Sequence, residues 1–337
     1  MLIKDITDLK KFITVDGSVS FPSVAPYIAQ AEQLYIIPAL GPSLYATLNT
    51  AYNASSMSDD QKALWNQLNY ANANFAWYLY LPVANVRMSE KGLVTSSTQE
   101  SQQITKWMFD ELRNTLKRSA YNMLDALYDF LIAGKAAPAD WYAAWSDGPG
   151  YSDFTDLLVY NTAIMSEWTP VNKSRWIFTQ MRSHIVRAEG LWARDFIGGP
   201  FFDDFKGRYL TNSLDDREKP LIQFLQPAIS MMAYSMAIRD PNIRQEITVM
   251  EGSQLDGVPA TGSNRADVDN RIAFDRVADQ YASQAAQVMD TVREFLNAEA
   301  ATGVFELYLD SPLYKNPTDT RPVEKYNNDS SSTYFMM

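Results

Sequence analysis

Residues 27–42 read Tyr27-Ile28-Ala29-Gln30-Ala31-Glu32-Gln33-Leu34-Tyr35-Ile36-Ile37-Pro38-Ala39-Leu40-Gly41-Pro42, and residues 184–200 read His184-Ile185-Val186-Arg187-Ala188-Glu189-Gly190-Leu191-Trp192-Ala193-Arg194-Asp195-Phe196-Ile197-Gly198-Gly199-Pro200. Ile28, Ala31, Glu32, Leu34, Tyr35 and Gly41 fall on Ile185, Ala188, Glu189, Leu191, Trp192 and Gly198, each pair 157 residues apart. Apolar residues recur at helical spacing in both stretches. In both, a glycine followed closely by proline (Pro42, Pro200) ends the pattern, the usual punctuation of a helix C-terminus. Self-similarity at a fixed offset is the mark of an internal duplication.

Two further blocks extend the match. Leu64, Leu68, Ala71, Phe75, Ala76 and Leu79 meet Leu221, Leu225, Ala228, Met232, Ala233 and Met236, again 157 apart. Steps of three and four predict a second amphipathic helix. It is led in each copy by acids that favour a helix start (Asp59-Asp60, Asp215-Asp216) and broken by Pro82 and Pro241. Leu116, Ala120, Met123, Leu127, Phe130 and Leu131 then pair with Tyr281, Ala285, Val288, Val292, Phe295 and Leu296 at an offset of 165. The added residues fall in the turn-rich stretch Gly252 to Gly262, where a loop tolerates insertion.

The predicted architecture is therefore all-α: two tandem, diverged copies of a helical-bundle unit, with a mostly irregular C-terminal tail. Copy one spans 1–133 and copy two 151–300, joined by a packed connection over 134–150 that holds Trp141, Tyr142 and Trp145. Each copy has a short leading helix, a helix ending in Gly-Pro, and two long helices, the last running from about Ile104 to Leu131 in copy one. In 301–337, Val304 to Leu309 reads as a short strand and the rest as a tail whose tip, Tyr334, Phe335, Met336 and Met337, is apolar enough to dock on a partner.

Composition narrows the function. Of 337 residues, 46% are hydrophobic and 20% charged, enough apolar material for one large or two ordinary cores. The 8 Trp, 19 Tyr and 16 Phe fit thick helix contacts. A net charge of −11 argues against general attraction to phosphate backbones or anionic membranes. The densest basic stretch, Lys173 to Arg194, is helically patterned and reads as a solvated or paired face. Met1 to Ile6 puts charges where a signal peptide has its apolar run, and no run of about 18 apolar residues is apparent, so neither export by that route nor a membrane span is expected.

Residues for catalysis are scarce. There are 0 Cys and 1 His, which removes thiolate sites and leaves carboxylates as the only metal ligands in number. His184 is expected to be structural, since copy one carries Tyr27 at that position. Asp203-Asp204 lacks the third carboxylate of an aspartate-rich magnesium motif and reads as a helix-start cap. Gly198-Gly199-Pro200 lacks the Lys-Ser/Thr of a phosphate loop. Glu32 and Glu189, at matching places beside alanines, are expected to fix packing by accepting hydrogen bonds; Gly41 and Gly198 are the matching structural glycines. No catalytic, cofactor or metal residue is expected.

The opening of copy one, Ile6-Thr7-Asp8-Leu9-Lys10-Lys11-Phe12-Ile13, then Tyr27 to Tyr35 and Gly41, resembles head-to-tail connector (adaptor) proteins of tailed bacteriophages, and its Asn- and Tyr-rich style is similar to versions in phages and prophages of Bacteroidetes. The resemblance covers about residues 5 to 131 and, through the duplication, 152 to 298. It implies a virion protein at the portal vertex that assembles as a homo-oligomeric ring. Its partners would be the portal protein and the tail or next ring protein, DNA passing through without sequence-specific binding. Such connectors are usually one unit, so both a dodecamer and six chains supplying two units each are compatible with it. A bacterial helical scaffold or ligand-binding protein without catalytic activity is the other class this sequence fits.

Overall fold

The computed structural model describes residues 3–15, 19–84, 86–89, 92–95, 105–135, 139–241, 243–244 and 264–316. The turn-rich stretch Gly252 to Gly262 and the apolar tip Tyr334 to Met337 lie outside them.

Unit one begins with α1 (Ile6–Leu9), closed at its start by the Asp5 carboxylate accepting from the Asp8 amide. The helix from the opening stretch follows as α2 (Phe21–Ala31), a widened π turn (Glu32–Ile36) and α3 (Ile37–Leu40). Gly41, at φ 81° and ψ 148°, turns the chain into α4 (Pro42–Asn53), whose proline sits in the first turn where its missing N–H costs nothing. Helix α5 (Asp59–Ala84) and helix α6 (Lys106–Ala133) then pair, joined through an antiparallel hairpin of β1 (Val86–Ser89) and β2 (Gly92–Thr95). Short helices α7 (Tyr142–Ser146) and α8 (Pro149–Thr155) close the unit.

Unit two repeats this order. It has α9 (Thr162–Trp168), α10 (Arg175–Arg187), a π turn (Ala188–Ala193), α11 (Arg194–Ile197), α12 (Gly199–Leu210), α13 (Pro220–Arg239), α14 (Asn264–Ala300) and α15 (Glu306–Leu309). Both ends of α4 and α12 are 157 residues apart, and Gly198, at φ 95° and ψ 122°, makes the same turn as Gly41. Each unit has its own core. Leu64, Leu68, Ala71 and Ala76 of α5 are fully buried in one, as are Leu221, Leu225, Ala228 and Ala233 of α13 in the other. Ala120 and Leu127 on α6 answer to Ala285 and Val292 on α14. Such a stripe of buried side chains, worth roughly 1.5–3 kcal/mol for each large one, is what propensity alone could not supply.

Several expectations from sequence are corrected. Val304 to Leu309 is no strand: Glu306–Leu309 is a helical turn whose Tyr308 fills the core of unit two. It matches Trp145 at an offset of 163, as Pro312 matches Pro149 and Tyr314 matches Tyr151. Trp145, fully buried, donates its indole N–H to the Ala39 carbonyl at 3.1 Å, so the segment read as a connection closes unit one as 304–314 closes unit two. Pro82 lies inside α5, within its last turn, where only one backbone bond is forfeited. Helices α4 and α12, the β1–β2 hairpin and the π turns are additions to the architecture expected from sequence.

At 20 residues, with mean hydropathy 1.3 over an 18-residue window, α13 is long and apolar enough to cross a membrane by length and composition. Of that window 67% is packed inside unit two, which accounts for its apolar character as a core helix.

Positive φ at Gly41 and Gly198 makes these two positions sensitive. Gly41→Ala and Gly198→Ala should each cost on the order of 1–3 kcal/mol in denaturant unfolding. Gly207→Ala should stabilise by about 1 kcal/mol, since Gly207 is inside α12 with open space around it.

Candidate functional site

The duplicated π turns are the most unusual local structure. In each, the amide five residues on donates to the glutamate carbonyl: Ile37 to Glu32, and Arg194 to Glu189. Such one-turn widenings are rare and frequent at functional sites. Each places its glutamate side chain inside the protein, Glu32 3% exposed and Glu189 1%. A carboxylate so placed needs partners. Glu32 accepts from the Tyr45 hydroxyl at 2.7 Å and from the Asn72 amide at 3.3 Å. Glu189 accepts from the Leu158 backbone N–H at 2.7 Å and pairs with Lys206. Burial and the neighbouring carboxylate hold the Tyr45 phenol far above its usual range, so it remains a donor. Burial also pushes Glu189 up, against the opposing pull of Lys206.

The same turns present a leucine outward. Leu34 is 52% exposed and Leu191 61%, at equivalent positions, although sequence spacing had placed them with the buried stripe. Residues before the turn (Ile28, Ala31), its last residue (Ile36) and those after it (Ala39, Leu40) are buried in the core, and the widened turn leaves Leu34 between them facing solvent. A second matched pair lies on the last long helices, where Trp107, in the first turn of α6, is 74% exposed and Ile272, more than two turns into α14, is 47% exposed.

The remaining candidates have structural surroundings. Asp203 and Asp204 do not cap a helix: α12 starts at Gly199, and they lie inside it. Asp203 takes both bonds of a bidentate Arg194 (2.9 and 2.6 Å), and Asp204 pairs with Arg208 at 2.8 Å. Among the described residues no group of three His, Cys, Asp or Glu could hold a metal ion. Within the basic stretch Lys173 to Arg194, Arg182 pairs with Asp156 at 2.7 Å and Arg187 is exposed, while Arg175 is paired but buried, away from any solvated face. It is buried at the seam between the units, over the rings of Tyr128, Phe154 and Phe178, with Asp125 at 3.7 Å. Beside it Trp176 meets Tyr121 of α6 at 4.9 Å, and Thr162 donates to Asp125 at 2.5 Å. The planar, weakly hydrated guanidinium suits such a stack. Nothing in the sequence marked Arg175 out from its basic neighbours.

His184 is buried, with Nε2 3.8 Å from the Asp240 carboxylate. Burial, aided by Arg187, outweighs Asp240 and holds the ring below its ordinary value of 6.5. The unfolded chain therefore takes up the proton first, and stability is lost as pH falls from 6.5 through the lowered folded value. As the one histidine in the chain, it should give a single imidazole NMR resonance titrating below 6.5. His184→Phe should remove the loss of stability in that window while leaving the loss at carboxylate pH.

Known proteins offer two kinds of comparison. No curated protein matches the chain, and no solved structure does. One family pattern matches it twice, over residues 36–155 and 193–318, so that each match starts at the last residue of a π turn and takes in the helices that close its unit. These matches cover more than half the chain, once for each unit: the protein belongs to the family of unknown function DUF6712.

Proposed function

We propose that the protein is a structural component of a tailed-phage particle, a head-to-tail connector that assembles as a ring between portal and tail and works without catalysis. The observation that carries this reading is the matched outward display of large apolar side chains, Leu34 with Leu191 and Trp107 with Ile272. One exposed leucine is ordinary on any surface, but the same exposure at equivalent places in two units is what an assembly surface used twice requires. A surface patch that meets a different patch on the next copy is heterologous, and such contacts close into rings when the rotation allows. The resemblance of residues 5 to 131 to phage connectors supports the same reading. On it the ring would contain twelve chains, or six that contribute two units each. A groove of about 480 Å³ beside Trp168, Tyr281 and Val288 favours the other class, a helical ligand-binding protein.

Electron microscopy and native mass spectrometry of the purified chain separate these. The connector reading expects closed rings of one stoichiometry, and Leu34→Glu with Leu191→Glu should dissolve them with helical circular dichroism unchanged. A monomer at every concentration, indifferent to a portal ring, contradicts it.

A further inference from the structure

Unit two carries an open groove of about 510 Å³ beside its π turn. Leu191, Trp192 and Phe196 form an apolar floor, and Arg187, Asp195 and Arg293 stand around it. Arg187 is exposed, and the Arg293 guanidinium lies 3.9 Å over the Phe196 ring. Two cations against one carboxylate leave this groove net positive in a chain of net charge −11. The equivalent surface of unit one lacks both cations. Gln30 stands for Arg187, Pro38 for Asp195 and Tyr128 for Arg293, and Phe154 stacks on that tyrosine at 4.2 Å.

Unit one carries the complement. Trp107, in the first turn of α6, shares one helix face with Asp110 and Glu111, three and four residues on, and all three are exposed. Exposed Met108 and Leu112 widen the apolar edge, and Arg113 lies over the Tyr78 ring at 5.9 Å. The corresponding positions of α14 are Ile272, Asp275 and Arg276, where a base stands for the second acid. The acidic tryptophan face therefore belongs to unit one and the cationic groove to unit two.

We infer that the start of α6 in one chain docks in the unit-two groove of the next copy, with Trp107 on the floor of Leu191 and Phe196 and with Asp110 and Glu111 facing Arg187 and Arg293. Asp195 then serves as acceptor for the indole N–H, a group that only donates. This contact rests on the connector reading and names the surfaces behind it. Two displayed apolar side chains, Trp107 and Leu191, cover one another, and opposite charges around them fix the orientation. Each chain has one such face and one such groove, so the contact is heterologous and runs in one direction around a ring whose repeating element is the whole chain. Leu34 and Ile272 remain for the second use of the display. Their surroundings lack this charge pairing, which disfavours docking a neighbour against the wrong unit.

Mixing variants of the full chain tests this. Trp107→Glu removes the face, and Arg187→Glu with Leu191→Glu removes the groove; all three positions are exposed, so helical circular dichroism should be unchanged. Each variant alone should be monomeric by native mass spectrometry. An equimolar mixture should give a heterodimer that grows no further, because one intact face meets one intact groove. As a second measurement, Arg187→Glu and Glu111→Lys should each weaken assembly several-fold, and the two together in one chain should restore it. Trp107→Glu chains that still form the wild-type ring overturn the inference and leave the connector reading standing, whereas a wild-type chain that is monomeric at every concentration removes both. A mixture that stays monomeric, or a charge exchange that fails to restore assembly, also overturns the inference.

Discussion

A carboxylate with almost no exposure, held inside a helix that widens to admit it, is the constraint around which each unit is organised. Burying a charge without partners costs several kcal/mol, so the surrounding chain has to bring donors to it. Unit one does so with a tyrosine from α4 and an asparagine from α5. Unit two has Phe202 and Ile229 at those positions, neither able to donate, and uses Lys206 from α12 and the backbone N–H of Leu158 instead. The need has been kept while the donors have changed. In unit two the bond to Leu158 also fixes Leu157, Leu158 and Val159 in the core, which anchors the point where the chain passes from one unit into the next.

The seam between the units follows from that anchoring. With the lead-in fixed, α10 lies against α6, and Arg175 is enclosed by Tyr128, Phe154 and Phe178 beside Asp125. Burial raises Asp125 and lowers Arg175, each moved away from its charged form, so the pair is held by its surroundings more than by a favourable charge contact. The equivalent face of unit two has Ala282, Ala286 and Asp290 where unit one has Lys117, Tyr121 and Asp125. The two units are therefore alike in fold and unlike in the residues they carry on this face.

Much of this was legible in the residues because helical burial imposes period. Leu64, Leu68, Ala71 and their partners repeat at one offset because the same helix face meets the same core, and Gly41 and Gly198 repeat because only glycine turns the chain there without strain. The π turns were not legible: a single widened turn leaves the apolar period nearly intact, so Leu34 and Leu191 looked like stripe residues. The helical turn at Glu306–Leu309 was read as a strand because Val304 to Leu309 is short, apolar and aromatic, a pattern that helix and strand share. Its offset of 163 from the Trp145 turn was the signal that would have settled it. Arg175 was hidden because sequence does not say which member of a basic run meets aromatic rings. The matched exposure of Leu34 with Leu191 and of Trp107 with Ile272 was not legible, since exposure is a property of the folded units.

Native-state hydrogen exchange on Glu189→Leu tests most directly whether a buried carboxylate organises each unit. The account predicts that the amides of Leu158 and Arg194 lose protection, together with their neighbours in the π turn and α12. Residues 37–53 of unit one should exchange as before. Unchanged protection at Leu158 and Arg194, or equal loosening of both units, would contradict it.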